Sequence, residues 1–288
     1  MRIVRLAGRE VTSGMAGCVA KLDPSSPLDY RELAGLLANE WAPRPPGLVG
    51  LAGGQGAGKS TLSRLIGLAC EDFGVRVCVL SLDDFYFPLS TRRALAERVH
   101  PLLETRGPPG THDLEECREI IARLQQLRSG ETLELPVFDK GIDDRRGGRM
   151  VEGPFDLVLL EGWCVGAPPE SEAALATPIN SLEREADAEG IWRRWVNAEL
   201  AGAYAQTWEL IDYLVFLRVP NLAAVRRWRL DQEGQRPESQ RIDSDAVDRF
   251  VEYFERTTLS MDGFIPGEAD LTVQLAEDHS VSALKFRR

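Results

Sequence analysis

Lys59 and Ser60 are the first residues along the chain whose types and spacing point to chemistry. They lie in the stretch Gly53-Gly54-Gln55-Gly56-Ala57-Gly58-Lys59-Ser60-Thr61, where Gly53, Gly58, Lys59 and Ser60 match G-x-x-x-x-G-K-[ST]. Glycines let a backbone turn tightly and bring its N–H groups against phosphate oxygens, because no Cβ intervenes. A helix that starts at the lysine adds free N–H groups and a positive dipole end. The lysine ammonium then reaches the outer phosphates, and the serine hydroxyl ligates Mg²⁺. An apolar run before the glycines and a helical pattern after them supply the required strand and helix. Residues 53–61 are therefore expected to bind a nucleotide. The Asn-Lys-x-Asp stretch that would read guanine is absent, which favours ATP.

Carboxylates follow at the ends of two further apolar runs. Asp83 and Asp84 end the run in LSLDDFYFP, and Glu161 ends LVLLEGW. Ligands of parallel sheets bind at the carboxyl ends of the strands. A phosphoryl acceptor needs a carboxylate there to orient its hydroxyl and take the proton. Adjacent strand residues point to opposite faces, so one of the two aspartates is expected to face the nucleotide, and Asp83 is assigned as the base. Glu161 is assigned as a second Mg²⁺ anchor beside Ser60.

Polar side chains suited to a small anionic acceptor concentrate in RGPPGTHDL (106–114) and PVFDKGIDDR (136–145). Arg106, His112, Lys140 and Arg145, together with Asp84 and Asp113, are candidate acceptor contacts. Asp113 is equally an N-cap for the helix that follows it. A third cluster, RRWRLDQE (226–233), puts Arg226, Arg227 and Arg229 where cationic lids clamp phosphates. Trp228 either packs in the core or approaches the base.

These residues need a scaffold. Five short runs rich in Val and Leu, at 47–53, 76–84, 155–163, 213–220 and 270–276, read as strands buried on both faces. Helical patterns between them indicate an α/β fold with a parallel sheet and helices on both sides. Residues 1–46 form an N-terminal helical arm that stops at Pro43, Pro45 and Pro46. Two intervals exceed a simple crossover, and long insertions at strand ends are where substrates are gripped. These are 85–150, assigned to the acceptor, and 221–262, assigned as a lid.

The formal net charge of −11 argues against nucleic-acid or anionic-membrane partners while permitting a small anionic substrate. Five scattered cysteines with no CxxC pair argue against a disulfide framework and for a reducing, cytoplasmic setting. No apolar run reaches the length of a membrane span.

Taken in order, the phosphate loop, SLDDFY, RGPPGTHDL, PVFDKGIDDR, LEGW, VNAELAGAYAQTWELID and RRWRLDQE resemble the D-glycerate 3-kinase branch of P-loop kinases. That branch is related to phosphoribulokinase, uridine kinase and bacterial pantothenate kinase. The resemblance implies a P-loop NTPase three-layer sandwich over 47–288, with a central five-stranded parallel sheet and the phosphate-loop strand in the middle. It implies transfer of the γ-phosphate of Mg·ATP to a small hydroxylated acceptor, with D-glycerate first among them; the residues alone leave open a nucleoside, pantothenate-like acid or sugar acceptor, or a nucleotide-dependent regulatory protein. Its lysine falls on Lys59, its magnesium hydroxyl on Ser60, its base on Asp83 and its third-strand acid on Glu161. Its lid arginines fall on Arg226 and Arg229.

Overall fold

Every position of Leu48–Gly53 (β1) is buried, because neighbouring strands and helices cover it on all sides. The structure, a computed structural model, describes residues 1–234 and 244–287. Strands Val77–Ser81 (β2), Leu157–Gly162 (β5), Tyr213–Arg218 (β6) and Leu271–Leu275 (β7) join β1 in the order β2-β5-β1-β6-β7, all parallel. The phosphate-loop strand is thus central, as the resemblance implies.

Among the described residues a sixth strand joins the five parallel ones. Val281–Phe286 (β8) adds to β7 in the antiparallel sense. This strand is short and mostly exposed or half-buried, so it lacks the apolar run that marks a strand covered on both faces. A separate antiparallel hairpin, Thr132–Asp139 (β3) and Asp144–Glu152 (β4), lies inside the 85–150 insertion. Leu133, Leu135 and Phe138 anchor β3 in the core, while β4 is largely exposed and rich in Arg and Gly.

The helices are Arg2–Leu6 (α1), Ser13–Lys21 (α2), Leu28–Trp41 (α3), Lys59–Asp72 (α4), Leu89–Arg98 (α5) and Leu114–Gln126 (α6). They continue with Glu172–Leu175 (α7), Ser181–Ala186 (α8), Ile191–Glu199 (α9), Ala205–Trp208 (α10), Leu222–Gly234 (α11) and Ser244–Glu268 (α12). Among the described residues, no helix is long and apolar enough to cross a membrane.

Alternation along the strands builds two cores. Val49 and Leu51 of β1 face one side with Leu159 and Leu217, while Leu48 and Ala52 face the other with Leu160 and Phe216. The first core is shared with the arm: Ile3, Met15, Leu33, Leu37 and Trp41 pack with Leu62 and Ile66 of α4. Polar ties add to this. Glu32, nearly buried, accepts from the Ile3 N–H at 2.7 Å, and Asp29 accepts from the Val281 N–H at 2.9 Å while pairing with Arg2. The second core is shared with α6 and the segments after β5. All five cysteines are buried and unbridged.

Candidate active site

The strand ends gather the chemistry. β1 runs into the loop 53–58 and α4 begins at Lys59, while Ser81 and Glu161 are register partners at the ends of β2 and β5. Gly58 has φ +81°, a left-handed conformation, and a Cβ there would meet the Tyr30 ring at 2.6 Å. A Cβ at Gly53 would lie 2.8 Å from that of Leu217, so the loop rises tight against β6. Lys59 Nζ donates to the carbonyls of Gly53 and Gly54 at 2.9 and 3.0 Å, folding the side chain back over its own loop. Burial pulls its ammonium below the usual lysine range, opposed by the charges of Glu161 and Asp83.

Glu161, only 7% exposed, accepts at one oxygen from both Ser60 Oγ (2.9 Å) and Ser81 Oγ (3.2 Å). Two hydroxyls and a carboxylate make an all-oxygen donor set, which suits a hard cation such as Mg²⁺. Among the described residues, no group of three or more His, Cys, Asp or Glu side chains could hold a metal ion alone. A metal at Ser60 and Glu161 would therefore be shared with phosphate oxygens.

Asp83 and Asp84 diverge, because the chain turns into a 3₁₀ segment at Leu82–Phe85. Asp84 accepts from the Phe138 N–H at 3.2 Å and so ties β3 to the strand end; it does not line the cavity that holds Asp83. Asp83 accepts from Lys140 Nζ at 2.6 Å and from the Tyr86 hydroxyl at 3.1 Å. Burial by itself would raise the Asp83 carboxyl. The Lys140 ammonium, with Lys59 beyond it, outweighs burial and holds the group below the ordinary carboxylate range.

Two cavities meet at the loop, and Gly56, Lys59 and Ser60 line both. The first, about 450 Å³, is bounded by Tyr30, Trp228 and His279. Trp228 is buried, its indole N–H donates to the Glu277 carbonyl at 2.9 Å, and its ring packs on His279. It is at once a core residue and a wall. The second cavity, about 270 Å³, holds Asp83 with the cations Arg106, Lys140 and Arg229. Aromatic walls come from Tyr86, Trp163, Phe250 and Phe254.

Several expected contacts do other work. Asp113 caps α6 by accepting from the Glu116 N–H at 3.1 Å. Arg145 is spent on the Tyr86 carbonyl (2.9 Å) and Glu116 (2.6 Å), binding the hairpin to the insertion. His112 is buried between Tyr86, on which it stacks, and the Tyr204 hydroxyl, 2.5 Å from its Nδ1. Burial drops its pKa to about 4, leaving it neutral. Arg226 pairs with Asp248 of α12 on an exposed face, and Arg227 pairs with Glu277. Of the three arginines expected in a lid, Arg229 lines the second cavity, with its guanidinium 4.6 Å from the Phe250 ring centre. The lid stretch 235–243 lies outside the described residues.

Ser81, Tyr86, Phe250 and Phe254 were not among the sequence candidates. Ser81 and Tyr86 flank the aspartate pair. Phe250 and Phe254, at i and i+4, read as ordinary helix packing, although they also wall the cavity.

No protein-family model matches the chain. It is 33% identical over 207 residues to "Uncharacterized kinase mug58" of Schizosaccharomyces pombe, covering 67% of this chain and 73% of that protein. The chain belongs to the glycerate-kinase-like P-loop kinases. This kinase is also 29% identical over 224 residues to the chloroplastic D-glycerate 3-kinase of Arabidopsis thaliana, spanning 72% of this chain and 46% of the plant protein. Its fold matches the solved D-glycerate 3-kinase of Cryptococcus neoformans with a TM-score of 0.70 at 24% identity, covering 99% of each chain.

Proposed function

We propose that this kinase transfers the γ-phosphate of Mg·ATP to a hydroxyl of D-glycerate. The supporting observation is an ionised carboxylate, Asp83, set among Arg106, Lys140 and Arg229 in a small cavity that opens on the phosphate loop. The loop N–H groups and Lys59 hold the transferring phosphates. Ser60 and Glu161 would hold Mg²⁺, which neutralises charge on the β- and γ-phosphates. Asp83 orients the acceptor hydroxyl. As the acceptor oxygen bonds to the γ-phosphorus, the bond to the bridging oxygen of ADP breaks, and the hydroxyl proton passes to Asp83.

The cations favour an acid as acceptor. A hydroxy acid brings a carboxylate that the cationic lining can hold, from Arg229 and from Arg106, which also pairs with Asp143. The net charge of −11 fits a small-molecule partner better than a nucleic acid, and the five unbridged cysteines fit a cytoplasmic setting.

The test is ADP release from Mg·ATP across small hydroxy acids, nucleosides and sugars. Stimulation by D-glycerate alone is expected. Stimulation by a nucleoside or sugar instead would keep phosphoryl transfer and overturn the acceptor.

A further inference from the structure

The phosphate loop does not hold its shape alone. Tyr30, in the first turn of α3, is 2% exposed, and its hydroxyl donates to the Ala57 carbonyl at 2.6 Å. The ring also lies against Gly58, where it leaves no room for a Cβ. In a trans peptide the C=O and the following N–H point in opposite directions. The bond that holds the Ala57 carbonyl towards the arm therefore aims the Gly58 N–H away from it. A phosphate loop works only when successive N–H groups converge on the anion. Glycine at 58 permits the required backbone but does not enforce it, since glycine has other conformations of similar energy. Tyr30 supplies the constraint from outside the loop. Burial pushes its phenol pKa upward, so the hydroxyl stays a donor at any working pH.

The same ring lines the larger cavity with Gly56, Gly58 and Lys59. Helix α3 in turn packs on α4, the helix that begins at Lys59.

We infer that the N-terminal arm belongs to the nucleotide site, with Tyr30 as a positioning residue that presets the phosphate loop for a nucleoside triphosphate. The inference rests on the reading of ATP as donor and is independent of the acceptor.

The test compares the full chain with Tyr30→Phe by direct titration with ATP and with ADP, and by steady-state kinetics. Loss of one hydrogen bond predicts both nucleotides bound about three- to tenfold more weakly. KM for ATP should rise by the same factor, and KM for the acceptor should stay within about twofold. Leu37→Val, a core substitution seven positions along the same helix from Tyr30 and with no hydrogen bond to the loop, is the stability control. It should lower the melting temperature and leave ATP affinity unchanged. Parental ATP affinity in Tyr30→Phe would overturn the inference, and so would an equal loss in Leu37→Val. A parent chain that binds no ATP would instead overturn the donor reading beneath it.

Discussion

Lys140 Nζ meets Asp83 Oδ2 at 2.6 Å although 57 positions separate them in the chain. The β3–β4 hairpin carries the cation to the end of β2, and the pair keeps a half-buried carboxylate ionised inside a cavity. In a protein interior an unpaired carboxylate tends to take up a proton; here the neighbouring ammonium prevents it.

Removing that cation should move the titration of Asp83. Lys140 lowers the carboxyl's pKa, so Lys140→Met raises it. The acid limb of kcat/KM is then expected at higher pH in the variant than in the parent. A pH–rate profile checks this, and superimposable acid limbs would refute the coupling.

Asp83→Asn keeps the shape and removes the proton acceptor. Turnover should fall by about 10²–10⁴-fold, the range for a general base. ATP affinity should change little. Equal losses in kcat and ATP affinity would assign Asp83 to the nucleotide.

Lys59→Ala deletes the ammonium over the loop. Loss of one preorganised cationic donor predicts a fall in kcat of about 10²–10³-fold with an unchanged circular dichroism spectrum. Parental turnover in this variant would remove the loop from the mechanism.

Arg226 and Arg229 should separate cleanly in alanine variants. Arg229 lines the cavity, so Arg229→Ala should lower kcat/KM by about 10- to 100-fold. Arg226 is in an exposed pair with Asp248, and Arg226→Ala should stay within about twofold. Steady-state kinetics on the two variants decide which arginine serves the reaction.

His112 should make stability depend on pH. Its folded pKa is about 4, below the unfolded value near 6.5, so the unfolded chain binds more protons between these limits. Stability is full above about pH 6.5 and is lost as pH falls towards 4, by roughly 3 kcal/mol. Denaturant melts of His112→Gln should show a shallower loss across that window. The same slope in parent and variant would place the titration elsewhere.

Short-range patterns made much of this molecule legible from its sequence. The five parallel strands appear as apolar runs, because a strand covered on both faces must be apolar at successive positions. The phosphate loop is contiguous, and the conformations its glycines permit depend on those residues themselves. Asp113 as a helix cap was readable for the same reason, since a cap bonds to an N–H three residues on. The tertiary structure decided the rest. β4 and β8 lack strong apolar alternation, and in β3 the alternation of Thr132–Leu135 is short and stops at Pro136, so their neighbours define them as strands. Asp83 and Asp84 are chemically identical and adjacent; the 3₁₀ turn and Lys140 determine which one is the cavity's carboxylate. Arg145, Arg226 and Arg229 carry the same guanidinium, but Glu116 engages the first, Asp248 the second, and the third faces the cavity. Tyr30 bonds a carbonyl 27 positions away. The strength of a charge pair or hydrogen bond depends on distance in space, and chain separation does not fix that distance.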